Sequence, residues 1–263
     1  MIWHTTPGRD AEPILTAMVS LYNAERFVRP LFDDLFRQTI APKMEILVVD
    51  ACSPQNDGEL VQKVMRDNPW ASIRYLRTDT RETCAATTNR IIREARGTYL
   101  TMANADDRHL PDALATLVNV LEQNPEMDLA YADCAVTETE NEDPLTTEAI
   151  VDFLRWPDFN AALLFDRCFV GPQPVYRKSM HERFGLYDET LLANDYEFYL
   201  RAVSRGSKFT HVPEVLGLYL RSALGIEHGN QERIWRESVE ARERHWETFR
   251  RGQAARGAGA AGE

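Results

Sequence analysis

Short runs rich in β-branched and aromatic residues begin near Ile14, Met44, Ser72, Thr98 and Asp128, at steps of 30, 28, 26 and 30 residues. Each step is the size of one strand–helix unit. The gaps between the runs carry apolar residues at helical spacing. Phe27, Leu31, Leu35 and Phe36 share one stripe, with Pro30 near the start of the helix, and Leu60, Val61, Val64 and Met65 share another. Cys84, Thr88, Ile91, Ile92 and Ala95 form a third, with Gly97 where a helix stop is expected. Pro111 opens a fourth helix through Leu114, Leu117, Val118 and Leu121. Alternation of this kind predicts an α/β layer fold with a mostly parallel sheet. The runs do not resemble one another, so the pattern is alternation and not a repeat.

Composition narrows the function classes. The chain has 263 residues, with 41 Asp and Glu against 30 Lys and Arg, a formal charge of −11. That balance argues against a nucleic-acid binder, which needs a basic face, but leaves room for a small phosphate-bearing ligand held by a metal. No apolar run reaches the ~18–20 residues of a membrane span, and the first ten residues lack the apolar core of a signal peptide. Cys52, Cys84, Cys134 and Cys168 show no metal or disulfide spacing, so reduced thiols and a cytoplasmic setting are expected.

The second half is less regular. Residues 138–148 are acidic and polar and read as a surface loop. Asp195 precedes a helix carrying Tyr196, Phe198, Tyr199, Leu200 and Val203. Trp235, Val239, Trp246 and Phe249 are expected to lay an aromatic stripe of a C-terminal helix on the body. The expected organisation is a flexible N-terminus over 1–10, one domain over 11–250 with a regular half to 135 and a less regular half from 136, and a disordered tail over 251–263.

Ligands of open α/β sheets bind beyond the carboxyl ends of the strands. There the sequence places Ser20 to Glu25, Asp50 to Pro54 and Asn104 to Asp107, a set of polar and acidic groups suited to a hard cation and a nucleotide. Each acidic residue also has a plainer reading. Asp50 can close a turn, Asp106 and Asp107 can cap the Pro111 helix, and Asp195 can cap its own.

The segments VSLYNAE, EILVVDACSP, ATTNRIIREARGTYLTMANADD and GLYDETLLANDYEFYLRA, in that order and at these distances, resemble the inverting glycosyltransferases of family 2 from about Ile14 to Arg205. The resemblance implies a GT-A fold, a Rossmann-like, mostly parallel central sheet flanked by helices with a smaller acceptor-side region. It implies metal-dependent transfer of a sugar, by single displacement, from a nucleoside diphosphate donor of the uridine type to a hydroxyl of a glycan, lipid carrier or protein. By position, Ser20, Tyr22 and Glu25 line the base and ribose, and Asp50 accepts from the base. Asn89, Arg90, Asn104, Ala105 and Arg221 lie along the nucleotide sugar, Asp106 and Asp107 hold Mn2+ or Mg2+ with His228 completing the shell, and Asp195 is the catalytic base. The oligomeric state stays open.

One departure is Asn104, where the family usually has Asp; the amide keeps an acceptor and loses the charge. It motivates the alternative of a non-catalytic nucleotide-sugar or glycan binding module. A nucleotidyltransferase ranks lower because the loop Tyr22 to Arg26 has no glycine, and no strand is followed by the GxGxxG of a dinucleotide enzyme.

Overall fold

A computed structural model describes residues 2–8, 12–222, 225 and 229–260. In chain order the elements are β1 (His4–Thr5), β2 (Leu15–Leu21), α1 (Glu25–Arg37), β3 (Met44–Asp50), α2 (Asp57–Asp67), β4 (Ser72–Arg77), α3 (Cys84–Glu94), β5 (Tyr99–Met102), β6 (Arg108–His109) and α4 (Ala113–Gln123). Then follow β7 (Leu129–Thr137), β8 (Ile150–Leu154), α5 (Ala161–Leu164), β9 (Val175–Arg177), α6 (Ser179–Phe184), α7 (Asn194–Ser204), β10 (Phe209–Leu220) and α8 (Gln231–Ala260).

The strands form one ten-stranded sheet in the order β1-β4-β3-β2-β5-β9-β7-β10-β6, with β8 paired to β7. Neighbours β4, β3, β2 and β5 are parallel, as are β7 and β10. Strand β9 is antiparallel to both β5 and β7, so β7 and β10 run the same way as β2 to β5. Their carboxyl ends therefore share one rim. The expected mostly parallel α/β sheet is what the chain forms.

Side chains alternate across the sheet. Leu15, Ala17, Val19 and Leu21 of β2 and Ile46 and Val48 of β3 pack with α1, α2 and α4. Met18, Leu47 and Val49 point to the other face, where α3, α6, α7 and α8 lie. All seven residues of β3 are buried, as a strand covered on both faces requires. Gly97 does not end a helix through a left-handed backbone. A Cβ there would lie 2.6 Å from the Thr16 amide nitrogen, so the glycine lets the chain pass directly against β2.

Four expectations change. The fourth helix starts at Ala113, two residues after Pro111. Part of the first ten residues is ordered: His4 and Thr5 pair with Tyr75 and Arg74, and Thr6 Oγ1 donates to the Ala71 carbonyl at 2.6 Å. The C-terminal helix runs on to Ala260, past the start of the expected tail at 251, because its alanines continue a helix already nucleated. Finally, the helix buries the aromatic stripe only at Phe249, which stacks on Phe165: Trp235 is 67% and Trp246 43% exposed. The buried positions are Glu237, Ala241, His245 and Phe249, spaced by four. Glu and His at core positions hid that face from a reading of apolar spacing.

Candidate active site

The rim begins with two cross-tied loops. After β2, Asn23 takes a positive φ of 54°, and after β3, Cys52 takes 59°. Ser53 Oγ accepts from the Asn23 amide at 3.0 Å, and Asp57 Oδ2 accepts from the Ala24 amide at 3.0 Å. Glu25 accepts from the Asn56 amide at 3.3 Å. Glu25 thus ties loop to loop at the start of α1. The Tyr22 ring lies beside them, half-buried, with the Arg81 guanidinium 4.2 Å above its centre.

Asp50 is wholly buried. One of its oxygens accepts from the Ser53 amide at 2.7 Å, which closes the turn after β3. The other accepts from Tyr75 Oη at 3.1 Å and from Arg77 at 2.5 Å. Asp50, expected at the base, is thus engaged by its neighbours in the sheet. Arg77, 43% exposed, also donates to the Ser53 carbonyl at 2.7 Å and is the group that reaches solvent there. Burial, with Asp50's charge and hydrogen bond adding, pushes Tyr75 above its ordinary range.

At the end of β2, Ser20 Oγ lies 2.6 Å from Thr87 Oγ1 on α3. Cys84, the first residue of α3, is exposed toward this spot, with Sγ 4.0 Å from Thr88 Oγ1. The thiol is pushed up by its surroundings first, and the charge of Asp195 adds to the push. The charge of Asp195 thus reaches the first residue of α3. Asp195 lies in the first turn of α7, exposed, and accepts from the Tyr196 amide at 2.7 Å. The N-cap is Ala193, so Asp195 does not cap the helix. Glu197 points inward, 3% exposed, bound to His245 at 2.7 Å and Arg201 at 2.9 Å.

After β5 come Asn104, Ala105, Asp106 and Asp107. Asp107 is buried; it accepts from Asn104 Nδ2 at 2.9 Å and from the Leu220 amide at 3.2 Å. Burial, then the charge of Asp106, push its carboxyl up to about 7. Asp106 is half-exposed and also raised, first by burial, with Glu140 adding and its own amide, Arg108 and Arg26 opposing. Neither residue caps α4, which begins at Ala113. Arg108, buried, donates to the carbonyls of Ala105 at 3.0 Å and Asp107 at 2.7 Å, which fixes the turn that presents the two carboxylates.

The acidic loop after β7 is an ordered wall of this site. Pro30 has no N–H for the Arg26 carbonyl one turn back, and Asn141 Nδ2 donates to that oxygen at 3.2 Å. Arg108 holds the Asn141 side chain at 2.6 Å, Arg26 meets Glu140 at 2.8 Å and Arg37 meets Asp143 at 2.8 Å.

Three further expected residues have partners within the protein. Asn89 is buried and its amide is fully engaged by Tyr187 N, Tyr187 O and Glu189, so it holds a loop. Arg90 grips Glu82 with two hydrogen bonds of 2.7 and 2.6 Å. Arg221, at the end of β10, pairs with Asp152 at 2.9 Å. His228 lies outside the described residues. Sequence reasoning missed Arg77, Arg108, Asn141 and Cys84. The one signal within reach was Pro30, whose place inside α1 leaves a carbonyl to be claimed.

The carboxylates suit a divalent cation, although no cluster of three or more His, Cys, Asp or Glu side chains is arranged for one among the described residues. Mg2+-type sites use one or two carboxylates and complete the shell with substrate phosphates and water. Asp106 and Asp107 fit that donor set.

A family model described as Glycosyl transferase family 2 matches residues 16–224. The chain belongs to that family. This glycosyltransferase is 21% identical over 214 residues to an uncharacterized glycosyltransferase of Methanocaldococcus jannaschii, covering 81% of the chain and 72% of that relative. It is 22% identical over 204 residues to the chondroitin synthase of Pasteurella multocida, which is 77% of this chain but only 20% of the synthase. Its fold matches the mannosyltransferase PcManGT of Pyrobaculum calidifontis, solved with GDP-Man and Mn2+, at a TM-score of 0.67 and 18% identity, over 98% of this chain and 79% of that one. It also matches S. aureus TarS 1-349 with UDP-GlcNAc at 0.64 and 17% identity, over 81% of this chain and 60% of that one. The architecture is GT-A. No helix among the described residues is long and apolar enough to cross a membrane.

Proposed function

We propose that this glycosyltransferase moves one sugar from a nucleoside diphosphate donor to an acceptor hydroxyl by single displacement with inversion. The observation that carries the reading is the pairing of two acidic groups: Asp106 and Asp107 after β5, next to β2 in the sheet, and exposed Asp195 in the first turn of α7, whose charge reaches Cys84 at the start of α3. An acceptor hydroxyl is a weak nucleophile, and a carboxylate that takes its proton as the new bond forms contributes about 10²–10⁴-fold. Asp195 is that base in this reading. Mn2+ or Mg2+ at Asp106 and Asp107 would stabilise the charge that grows on the departing diphosphate. Asn104 orients Asp107 through its amide. Tyr22 and the outer edge of Arg77 receive the base, while Ser20 and the loop carrying Glu25 shape the ribose side. Ala105 and Arg221 border the sugar and diphosphate.

Solved neighbours hold UDP-GlcNAc in one case and GDP-Man in another. We take a uridine donor forward, with guanosine as the comparison. The acceptor, a glycan, lipid carrier or protein, enters over residues 150–180, in a cytoplasmic setting. A melting screen with UDP, GDP and other nucleoside diphosphates, with and without Mn2+, tests the reading. One nucleotide should stand out, since 100-fold excess over its Kd adds about 2.7 kcal/mol. No response to any nucleotide with Mn2+ would end it. Tight binding without sugar release over a broad acceptor panel would favour the binding module that Asn104 motivates.

A further inference from the structure

Helix α8 buries two ionisable side chains, Glu237 and His245, on the stripe it shares with Ala241 and Phe249. His245 reaches α7, the helix that carries Asp195, and Glu237 reaches the two residues just before it. That helix begins badly on its own terms: its N-cap is Ala193, which has no side-chain oxygen for the orphan amides. Glu237, 44 residues beyond that N-cap, instead anchors the chain as it enters the helix. Its Oε2 accepts from the Ala193 amide at 3.0 Å and from the Leu192 amide at 2.7 Å. Its Oε1 accepts from Arg233 at 2.7 Å. A carboxylate at this end also meets the positive pole of the helix. Burial pushes the Glu237 carboxyl up, but the amides and Arg233 outweigh it and hold it below the usual range.

The same segment is gripped from the other side. Asn89 on α3 bonds both backbone groups of Tyr187, at 2.9 and 3.0 Å. Arg233 donates to the Thr190 carbonyl at 2.9 Å. One turn into α7, His245 holds Glu197 inward. Of the two acids in the first turn, Glu197 is therefore turned to the core and Asp195 to the rim.

We propose that Glu237 is a positioning residue that anchors the entry to α7 from α8 and so aims Asp195 at the acceptor. The proposal rests on Asp195 being the base. In the full chain, Glu237→Ala should lower kcat by about 10²-fold, the scale of a misplacement near 1 Å. The Mn2+-dependent melting shift with nucleoside diphosphate should not change, and amide exchange at Leu192 and Ala193 should accelerate. Glu237→Gln keeps a side-chain oxygen for these amides and should hold kcat within about tenfold of the parent. Turnover is read as UDP released from UDP-GlcNAc, or GDP from GDP-mannose, as the nucleotide screen selects. Equal losses in both variants together with a lost nucleotide shift would mean a general structural role and overturn the proposal, as would unchanged turnover and exchange in Glu237→Ala. Asp195→Asn, run alongside, separates the two readings. If it turns over like the parent, Asp195 is not the base and the aiming role falls with it; exchange at 192 and 193 then decides whether the anchor itself stands.

Discussion

Replacing Asp107 with Asn is expected to make the metal-free protein more stable while removing an oxygen from the candidate cation site. The buried carboxyl is pushed from an ordinary 3.8 up to about 7 by burial and by Asp106. Below about pH 4 it is protonated in folded and unfolded chains alike and contributes no difference. Between about 4 and 7 the folded chain keeps a proton that the unfolded chain has released, so parental stability falls as pH rises; above 7 the full cost is present. Each pH unit is worth ~1.4 kcal/mol, so the ceiling is about 4 kcal/mol. For a chain of this size that is a rise in Tm of roughly 10 °C. Asn is accommodated: its oxygen can accept from the Leu220 amide, and Asn104 can turn its own oxygen toward the new amide. The assay is thermal melting of parent and variant in EDTA at pH 5 and pH 8. The gain should be clearly larger at pH 8. An equal gain at both values, or a loss at pH 8, would refute the argument that ionisation of this buried carboxyl is what costs.

Other outcomes follow from the same geometry. Asp195→Asn should lower transfer by about 10²–10⁴-fold with nucleotide binding intact, read by product release beside calorimetry; an unchanged rate would remove Asp195 from the mechanism. Gly97→Ala places a Cβ within 2.6–2.8 Å of the Leu15–Thr16 backbone and should cost about 3 kcal/mol or prevent soluble expression, as seen in urea melts. Glu197 and Glu237 are both held below their ordinary value of 4.5, where burial is outweighed by His245 and Arg201 for the first and by amides and Arg233 for the second. Their stabilisation is present above about pH 4.5 and is lost as pH falls through the lower folded values. Glu237→Gln should flatten the acid limb of a Tm–pH curve while leaving the limb above pH 6 parallel to that of the parent.

The first half of the fold was legible because its strands are covered on both faces and read as unbroken apolar runs: Met44–Asp50 is buried throughout. The rim was legible for a second reason, since strand ends must carry the polar residues that the sheet interior excludes. What sequence could not reveal is who answers whom. Asp50 stands at a strand end, as a ligand-binding acid should, yet Tyr75 and Arg77 from the next strand occupy it. Asn89 has the right type and place for a nucleotide contact, and the loop around Tyr187 claims it. Both cases turn on partners brought in by β4 and by the loop before α7, which local pattern does not encode. The C-terminal helix failed differently. Its packing face holds Glu237 and His245, and a search for apolar periodicity picks the exposed Trp235 instead.

Strand β8 meets only β7 among the described residues, and Ile150, Val151 and Phe153 on it are 40%, 53% and 46% exposed. An outer strand edge beside apolar side chains is a template onto which a strand of another copy can add, and Asp152, which accepts from the Phe153 amide and from Arg221, interrupts it. Crowded samples will thus clump along this margin while their cores are still intact, and shelf life will be governed there and not by the melting point.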